Sequence, residues 1–102
     1  MKKYKVLIRG ENFLMNLDGE DHRLGFYTRA FVEGQDKEEA EQRAISLLRD
    51  DQEFRRSVLN EQSDSPMMFA DEIHELESFE GLNLPRTGFA FFSEEGTEAE
   101  EA

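Results

Sequence analysis

Glu72 and His74 are the residues whose types and spacing come closest to acid–base chemistry. Positions two apart share one face of a β-strand, so a carboxylate and an imidazole there could act together as a general base. Catalysis would also require a nucleophile and an oxyanion stabiliser, and Ser63, Ser65 and Ser78 lack the sequence context of either. We therefore interpret His74 as a structural or surface residue. A small enzyme that uses Glu72 and His74 is the least favoured functional alternative.

A second candidate is the acidic stretch 18–22, in which three carboxylates and His22 fall within five residues. Oxygen-rich clusters bind hard cations, but a calcium loop spreads its ligands over about twelve residues and ends in a bidentate glutamate. This stretch has no such spacing. The sequence also has no cysteine for a thiolate metal site or a thiol nucleophile, and no glycine-rich phosphate loop. We expect no catalytic site, no metal and no cofactor, and hence not an enzyme.

The overall charge limits the partners that the chain can bind. The sequence has 24 acidic and 12 basic residues, a net charge of −12. Such a field repels phosphate backbones and anionic lipid, so we expect no direct nucleic-acid binding and no membrane partner. No apolar run approaches the ~20 residues of a membrane-spanning helix, and the first residues do not resemble a signal peptide. These features favour a cytoplasmic protein.

The first element that positions these residues is an interrupted strand. Residues 4–9 alternate in polarity, and Gly10-Glu11-Asn12 then breaks the alternation, which predicts a bulge before a strand resumes at 13–17. Asp18-Gly19 has the chemistry of a turn, and 20–23 are expected to form a polar loop. The cleaner apolar side of the first stretch consists of Tyr4, Val6 and Ile8.

The strand at 24–32 has the strongest alternation in the chain and is expected to pair with the first strand as an antiparallel hairpin. One side presents mainly apolar residues to a core. The other side also carries aromatic residues, so both faces of the predicted sheet contain bulky side chains. The first set is Leu24, Phe26, Thr28, Ala30 and Val32, and the second is Tyr27, Arg29 and Phe31.

A helix is expected after Asp36, an N-cap residue with Glu39 three positions later. A short second helical segment is expected at 51–59, where Phe54 and Val58 repeat at i, i+4. We expect Arg55 and Arg56 to pair with Asp51 or Glu53 across a helical turn. The apolar stripe of the first helix consists of Ala40, Ala44, Ile45, Leu47 and Leu48.

The segment 67–80 is compatible with either a helix or a strand, because its apolar residues fit both spacings. We favour a strand, since the last strand, 88–93, needs a pairing partner for Phe89 and Phe91. Residues 94–102 are acidic and lack large apolar side chains, which predicts a disordered tail. The sequence thus predicts one domain, 1–93, followed by that tail.

These elements define an α+β fold in the order ββαββ. We expect a four-stranded, mainly antiparallel sheet with one main helix, and a short helical extension, packed on one face. One helix cannot cover both faces, so the second face is predicted to be an interface. An alternative is that loops 60–66 and 81–88 cover it. The predicted interface residues are Leu7, Tyr27, Arg29, Phe31 and Phe92.

The function favoured by these observations is a non-catalytic protein-interaction or homo-oligomeric module, with a homodimer or another protein as partner. The alternative is an acidic inhibitor, immunity or antitoxin-type protein whose negative surface imitates nucleic acid toward a basic target. Residues 31–40 also resemble the strand-into-helix step of HicB-like antitoxin domains. The Pro-Asp-Leu-Pro-Gly element of that family is missing, so the resemblance identifies no family.

Overall fold

The computed structural model describes residues 1–94 and contains four strands and two α-helices in the order ββαββ. The strands form one antiparallel sheet in the order β3-β1-β2-β4. The predicted fold class is confirmed, including a strand rather than a helix after residue 66. The elements are β1 (Lys2–Leu17), β2 (Glu20–Gly34), α1 (Lys37–Arg49), α2 (Gln52–Ser57), a short 3-10 helix (Gln62–Asp64), β3 (Met67–Leu76) and β4 (Ala90–Ser93).

The β1–β2 hairpin is longer than the sequence predicts. It pairs from Lys2 opposite Gly34 to Leu17 opposite Glu20. Its two-residue turn places Asp18 at φ 51° and Gly19 at φ 86°, the left-handed conformation that a tight hairpin turn requires. The expectation of a polar loop at 20–23 is wrong, because these residues pair with the end of β1. A two-residue turn allows the strands to pair immediately on both sides of it.

The predicted bulge in β1 is present. The register of the hairpin shifts between Gly10 and Phe13, and Asn12 has φ 61°. The side chain of Asn60 fixes this irregular backbone: its Oδ1 accepts a hydrogen bond from the Leu14 amide at 2.8 Å, and its Nδ2 donates to the Asn12 carbonyl at 2.9 Å. An amide side chain thus takes the place of a neighbouring strand beyond the bulge.

Helix α1 begins where the sequence predicts. Asp36 Oδ1 accepts a hydrogen bond from the Glu39 amide, and Glu39 Oε1 accepts one from the Gln35 amide, each at 2.9 Å. The first bond satisfies an amide that the helix itself leaves free, and the second, a variant of the capping box, holds the residue before the N-cap. Ala40 and Ala44 are fully buried, so the helix backbone lies close to the sheet. Asp51 caps α2 in the same way, accepting from the Phe54 amide at 3.1 Å.

The core lies between the helices and one face of the sheet. Phe26 has no exposed surface and is the centre of an aromatic cluster. Its ring centroid is 5.0 Å from that of Phe13, 5.6 Å from Phe54 and 5.0 Å from Phe89. The buried members of the core are Tyr4, Val6, Ile8, Phe13, Met15, Leu24, Phe26, Ala30, Ala40, Ala44, Leu48 and Phe54.

The last two strands do not pair with each other, contrary to the expectation from Phe89 and Phe91. β3 pairs with β1 at one edge of the sheet, whereas β4 pairs with β2 at the opposite edge. The physical reason is the aromatic cluster: Phe89 and Phe91 pack against Phe26, which belongs to β2, with ring centroids 5.0 and 6.2 Å from it. Packing against β2 therefore determines the edge that β4 joins.

The predicted disordered tail, 94–102, lies outside the described residues except for its first position. Glu94 follows β4, and its Oε2 accepts a hydrogen bond from the Asn12 amide at 3.3 Å. The Glu94 carboxylate thus provides a further hydrogen-bond partner for the bulge in β1.

Candidate interaction surface

The sheet has one face on which no helix of residues 1–94 packs, and we refer to it as the helix-free face. Successive side chains of a strand point to opposite sides of the sheet. Tyr4, Val6 and Ile8 are buried against the helices, whereas Leu7 points to the helix-free face and is half-buried. The five predicted interface residues all lie on this face. They are Leu7 on β1, Tyr27, Arg29 and Phe31 on β2, and Phe92 on β4.

Tyr27 and Phe92 form the exposed aromatic part of the helix-free face. Their ring centroids are 5.7 Å apart, and each residue is 39% exposed. Phe92 pairs with Gly25 in the β2–β4 ladder, and its ring occupies the space where a side chain at Gly25 would lie. Glycine at this position therefore allows the phenyl ring to lie flat on the sheet beside Tyr27.

Phe31 differs from the other predicted interface residues, because the chain itself covers it. It is 7% exposed, and its ring centroid lies 6.4 Å from that of Phe79. The Phe31 amide donates to the Pro85 carbonyl at 2.9 Å, and Lys3 Nζ lies 5.9 Å from the Phe79 ring centroid. The expectation that Phe31 is exposed is wrong, because the connection between β3 and β4 covers it. The covering side chain, Phe79, lies outside the loops 60–66 and 81–88 that were the alternative cover.

Charges on the helix-free face are balanced, although the whole chain has a net charge of −12. Arg9 lies 4.6 Å from the Phe69 ring centroid, and its guanidinium pairs with Asp71 at 3.0 Å and with Glu11. In the region where β1, β2 and β3 pair, the cations on this face are Lys3, Lys5, Arg9 and Arg29, and the anions are Glu11, Glu33, Asp71 and Glu72.

Glu72 and His74 do share a face of β3, as their spacing predicts. Glu72 Oε1 and His74 Nε2 are 3.0 Å apart, and the two side chains are 59% and 57% exposed. The pair lies on an edge strand of the sheet, in contact with solvent. An exposed contact of this kind contributes little to stability.

The acidic turn 18–22 forms local pairs instead of a common ligand set. His22 Nε2 lies 3.8 Å from Glu20 Oε2, and Asp21 Oδ1 accepts a hydrogen bond from Asn16 Nδ2 at 3.0 Å. Residues 1–94 contain no group of three or more histidine, aspartate or glutamate side chains arranged to hold a metal ion. None of the helices in that part of the chain has the length and apolarity needed to cross a membrane.

Two carboxylates have shifted acidities, and both support the fold. A hydrogen bond from Asn12 Nδ2, followed by one from Arg23, holds the pKa of Asp64 below its ordinary value of 3.8. The hydrogen bond from the Phe54 amide, with a smaller contribution from Arg86, similarly lowers the pKa of Asp51. Asp64, at the end of the 3-10 helix, holds the bulge in β1, and Asp51 caps α2, so both shifts have a structural cause.

Comparisons with known proteins gave no match: no family model, no curated protein and no solved structure is significantly similar to this chain.

Proposed function

We propose that this protein is a non-catalytic interaction module that forms a homodimer through the helix-free face. The observation that carries the proposal is the Tyr27–Phe92 pair, two adjacent aromatic side chains that each remain 39% exposed. Aromatic residues are enriched at protein interfaces, where their large area supplies much of the binding energy. Half-buried Leu7 and the exposed guanidinium of Arg29 border this pair.

The charge distribution supports self-association through this face in particular. Two chains that each carry a net charge of −12 repel one another. In the part of the helix-free face where β1, β2 and β3 pair, however, four cations and four carboxylates offset one another, so contact there brings no excess of like charge together. A two-fold dimer needs a single patch that complements itself, and a patch with both signs of charge can do so.

The net charge of −12 favours a protein partner over nucleic acid or an anionic membrane, because both would be repelled. We also propose a cytoplasmic location, which the absence of cysteine from the sequence supports.

Analytical ultracentrifugation tests the proposal with two matched variants. Tyr27→Lys introduces a charge into the exposed aromatic pair, and Gln42→Lys introduces the same charge at an exposed position of α1. We expect the wild type and Gln42→Lys to be dimers at about 100 micromolar and to dissociate toward low micromolar concentration, and Tyr27→Lys to be a folded monomer throughout. The dimer should tighten as salt rises to about 0.1 M and above, because the screening length is then about 10 Å. A wild type that is monomeric at both low and high salt would contradict the proposal.

A further inference from the structure

A groove opens on the helix side of the molecule, between the end of α1, α2 and the start of β3. It has a volume of about 310 Å³ and is separate from the helix-free face. Its walls are apolar, apart from two arginines at the rim. The lining residues are Phe13, Phe54, Val58, Pro66 and Met68, with Arg49 and Arg55 as the charged members.

The floor of this groove belongs to the hydrophobic core. Phe13 and Phe54 are 2% and 7% exposed, and their ring centroids are 5.5 Å apart. Val58 and Met68 pack against the core but are only partly buried. An apolar group placed in the groove would therefore contact aromatic and aliphatic side chains that are already held in position.

The arginines at the rim are not neutralised by the residues described. Sequence spacing predicts that Arg55 and Arg56 pair with Asp51 or Glu53, but Asp51 caps α2 and lies 3.4 Å from Arg86 instead. Among the ion pairs of residues 1–94, none includes Arg49, Arg55 or Arg56. All three are exposed, so their guanidiniums are available to an external anion.

A second depression of about 370 Å³ adjoins the groove on the other side of Arg55, and Gln52, Arg55 and Arg56 line it. Arg55 thus lies between an apolar groove and a polar, cationic cleft. Guanidinium groups present forked donors that match the two oxygens of a carboxylate. The arrangement suits a ligand with one apolar part and one anionic end.

We propose that this groove binds a small amphipathic carboxylate, a medium-chain alkanoic acid, with its chain over Phe13 and Phe54 and its carboxylate on Arg49 and Arg55. The volume of 310 Å³ lies at the lower end of the range of about 300–1,000 Å³ found for ligand pockets, which fits a small ligand. Charge complementarity selects the anion: the charged groups that line the groove are both cations. This site does not depend on the proposed dimer, since it lies on the opposite side of the sheet.

Nuclear magnetic resonance titration with octanoate tests the site, with octanol and octylammonium as matched probes. We expect octanoate to shift the ring resonances of Phe13 and Phe54 and the methyl resonance of Met68. Octanol should bind more weakly, and octylammonium should cause no shift at these residues. Resonances of Tyr27 and Phe92 on the helix-free face should not change.

Two substitutions sharpen the test without altering the core. Arg55→Gln should weaken octanoate binding about tenfold, or about 1.4 kcal/mol, because the carboxylate loses a charge-assisted hydrogen bond. Arg43→Gln removes an equal charge from the exposed side of α1, where Arg43 pairs with Glu39, and should leave binding unchanged. The proposal is overturned if octanoate shifts none of the groove residues at millimolar concentration, if octylammonium binds equally well, or if both variants behave alike.

Discussion

The two faces of the sheet are built from the same strands but differ in what covers them. On the helix-covered face, Val6, Ile8 and Phe26 have no exposed surface. On the helix-free face, their neighbours Leu7 and Tyr27 are partly exposed, and charged side chains lie around them. Strand alternation thus sets which side a residue faces, whereas the covering element decides whether that side becomes core or surface.

The helix on one face and the loop on the other also differ in how much of the sheet they cover. Helix α1 places Ala40, Ala44 and Leu48 against the sheet, and short side chains at the first two positions allow close contact along the helix. On the other face, the connection between β3 and β4 covers Phe31 through Phe79. Its reach ends before Tyr27, so an aromatic pair remains exposed at one end of the face.

The largest effect is expected from a substitution in the core. Phe26→Ala should lower the free energy of unfolding by about 3–5 kcal/mol, because it leaves a cavity among Phe13, Phe54 and Phe89. Tyr27→Ala, at the adjacent position on the other face, should lower it by less than about 1 kcal/mol in the monomer. Urea denaturation of both variants at low protein concentration checks the comparison. Equal losses would show that the helix-free face is also core.

The sequence could predict the faces of these strands, since alternation at 4–9 and 24–32 is a local property. The start of α1 was equally predictable, because Asp36 and Glu39 interact within one helical turn. By contrast, the edge of the sheet that each of β3 and β4 joins depends on packing between residues far apart in the sequence, such as Phe89 on Phe26. The same limit applies to the candidate interface: spacing predicts the side on which Phe31 lies, but not that Phe79 covers it.

The next largest effect concerns the bulge that separates the two halves of β1. Asn60→Ala should cost about 1–3 kcal/mol, because the Leu14 amide and the Asn12 carbonyl lose their partner in a partly buried place. Asn16→Ala is a suitable control, since its amide contacts only the exposed carboxylate of Asp21. Thermal unfolding should distinguish them by several degrees. A loss for Asn16→Ala as large as that for Asn60→Ala would contradict this role for Asn60.

Removing the cap of α1, the helix that covers the core, is expected to lower the free energy of unfolding by less than the loss of Asn60. Asp36→Ala should cost about 1 kcal/mol, because the Glu39 amide loses its acceptor. Asp50→Ala removes the same charge at the other end of the helix, where the backbone amide of residue 50 makes the capping contacts. The denaturation midpoint should fall for Asp36→Ala alone. An unchanged midpoint would mean that the capping box does not stabilise the helix.

The smallest effect is a pH dependence at the bulge. Hydrogen bonds from Asn12 and Arg23 lower the pKa of Asp64 in the folded state, so its contribution to stability is present above the ordinary pKa of 3.8. That contribution is lost as the pH falls from 3.8 through the lower folded value. Asp64→Asn should therefore be less stable than the wild type at neutral pH, with the difference shrinking in acid. A difference that does not change between pH 6 and pH 2 would exclude this linkage.

Following assigned resonances during dilution tests directly whether two copies associate through the helix-free face. Between millimolar and low micromolar protein, we predict that the resonances of Leu7, Tyr27, Arg29 and Phe92 shift, whereas those of the exposed side of α1 do not. The changes should be larger at high salt than at low salt, because screening reduces the repulsion between the chains. If no resonance shifts on dilution at either salt concentration, or if the shifts map onto α1 instead, the claim is wrong.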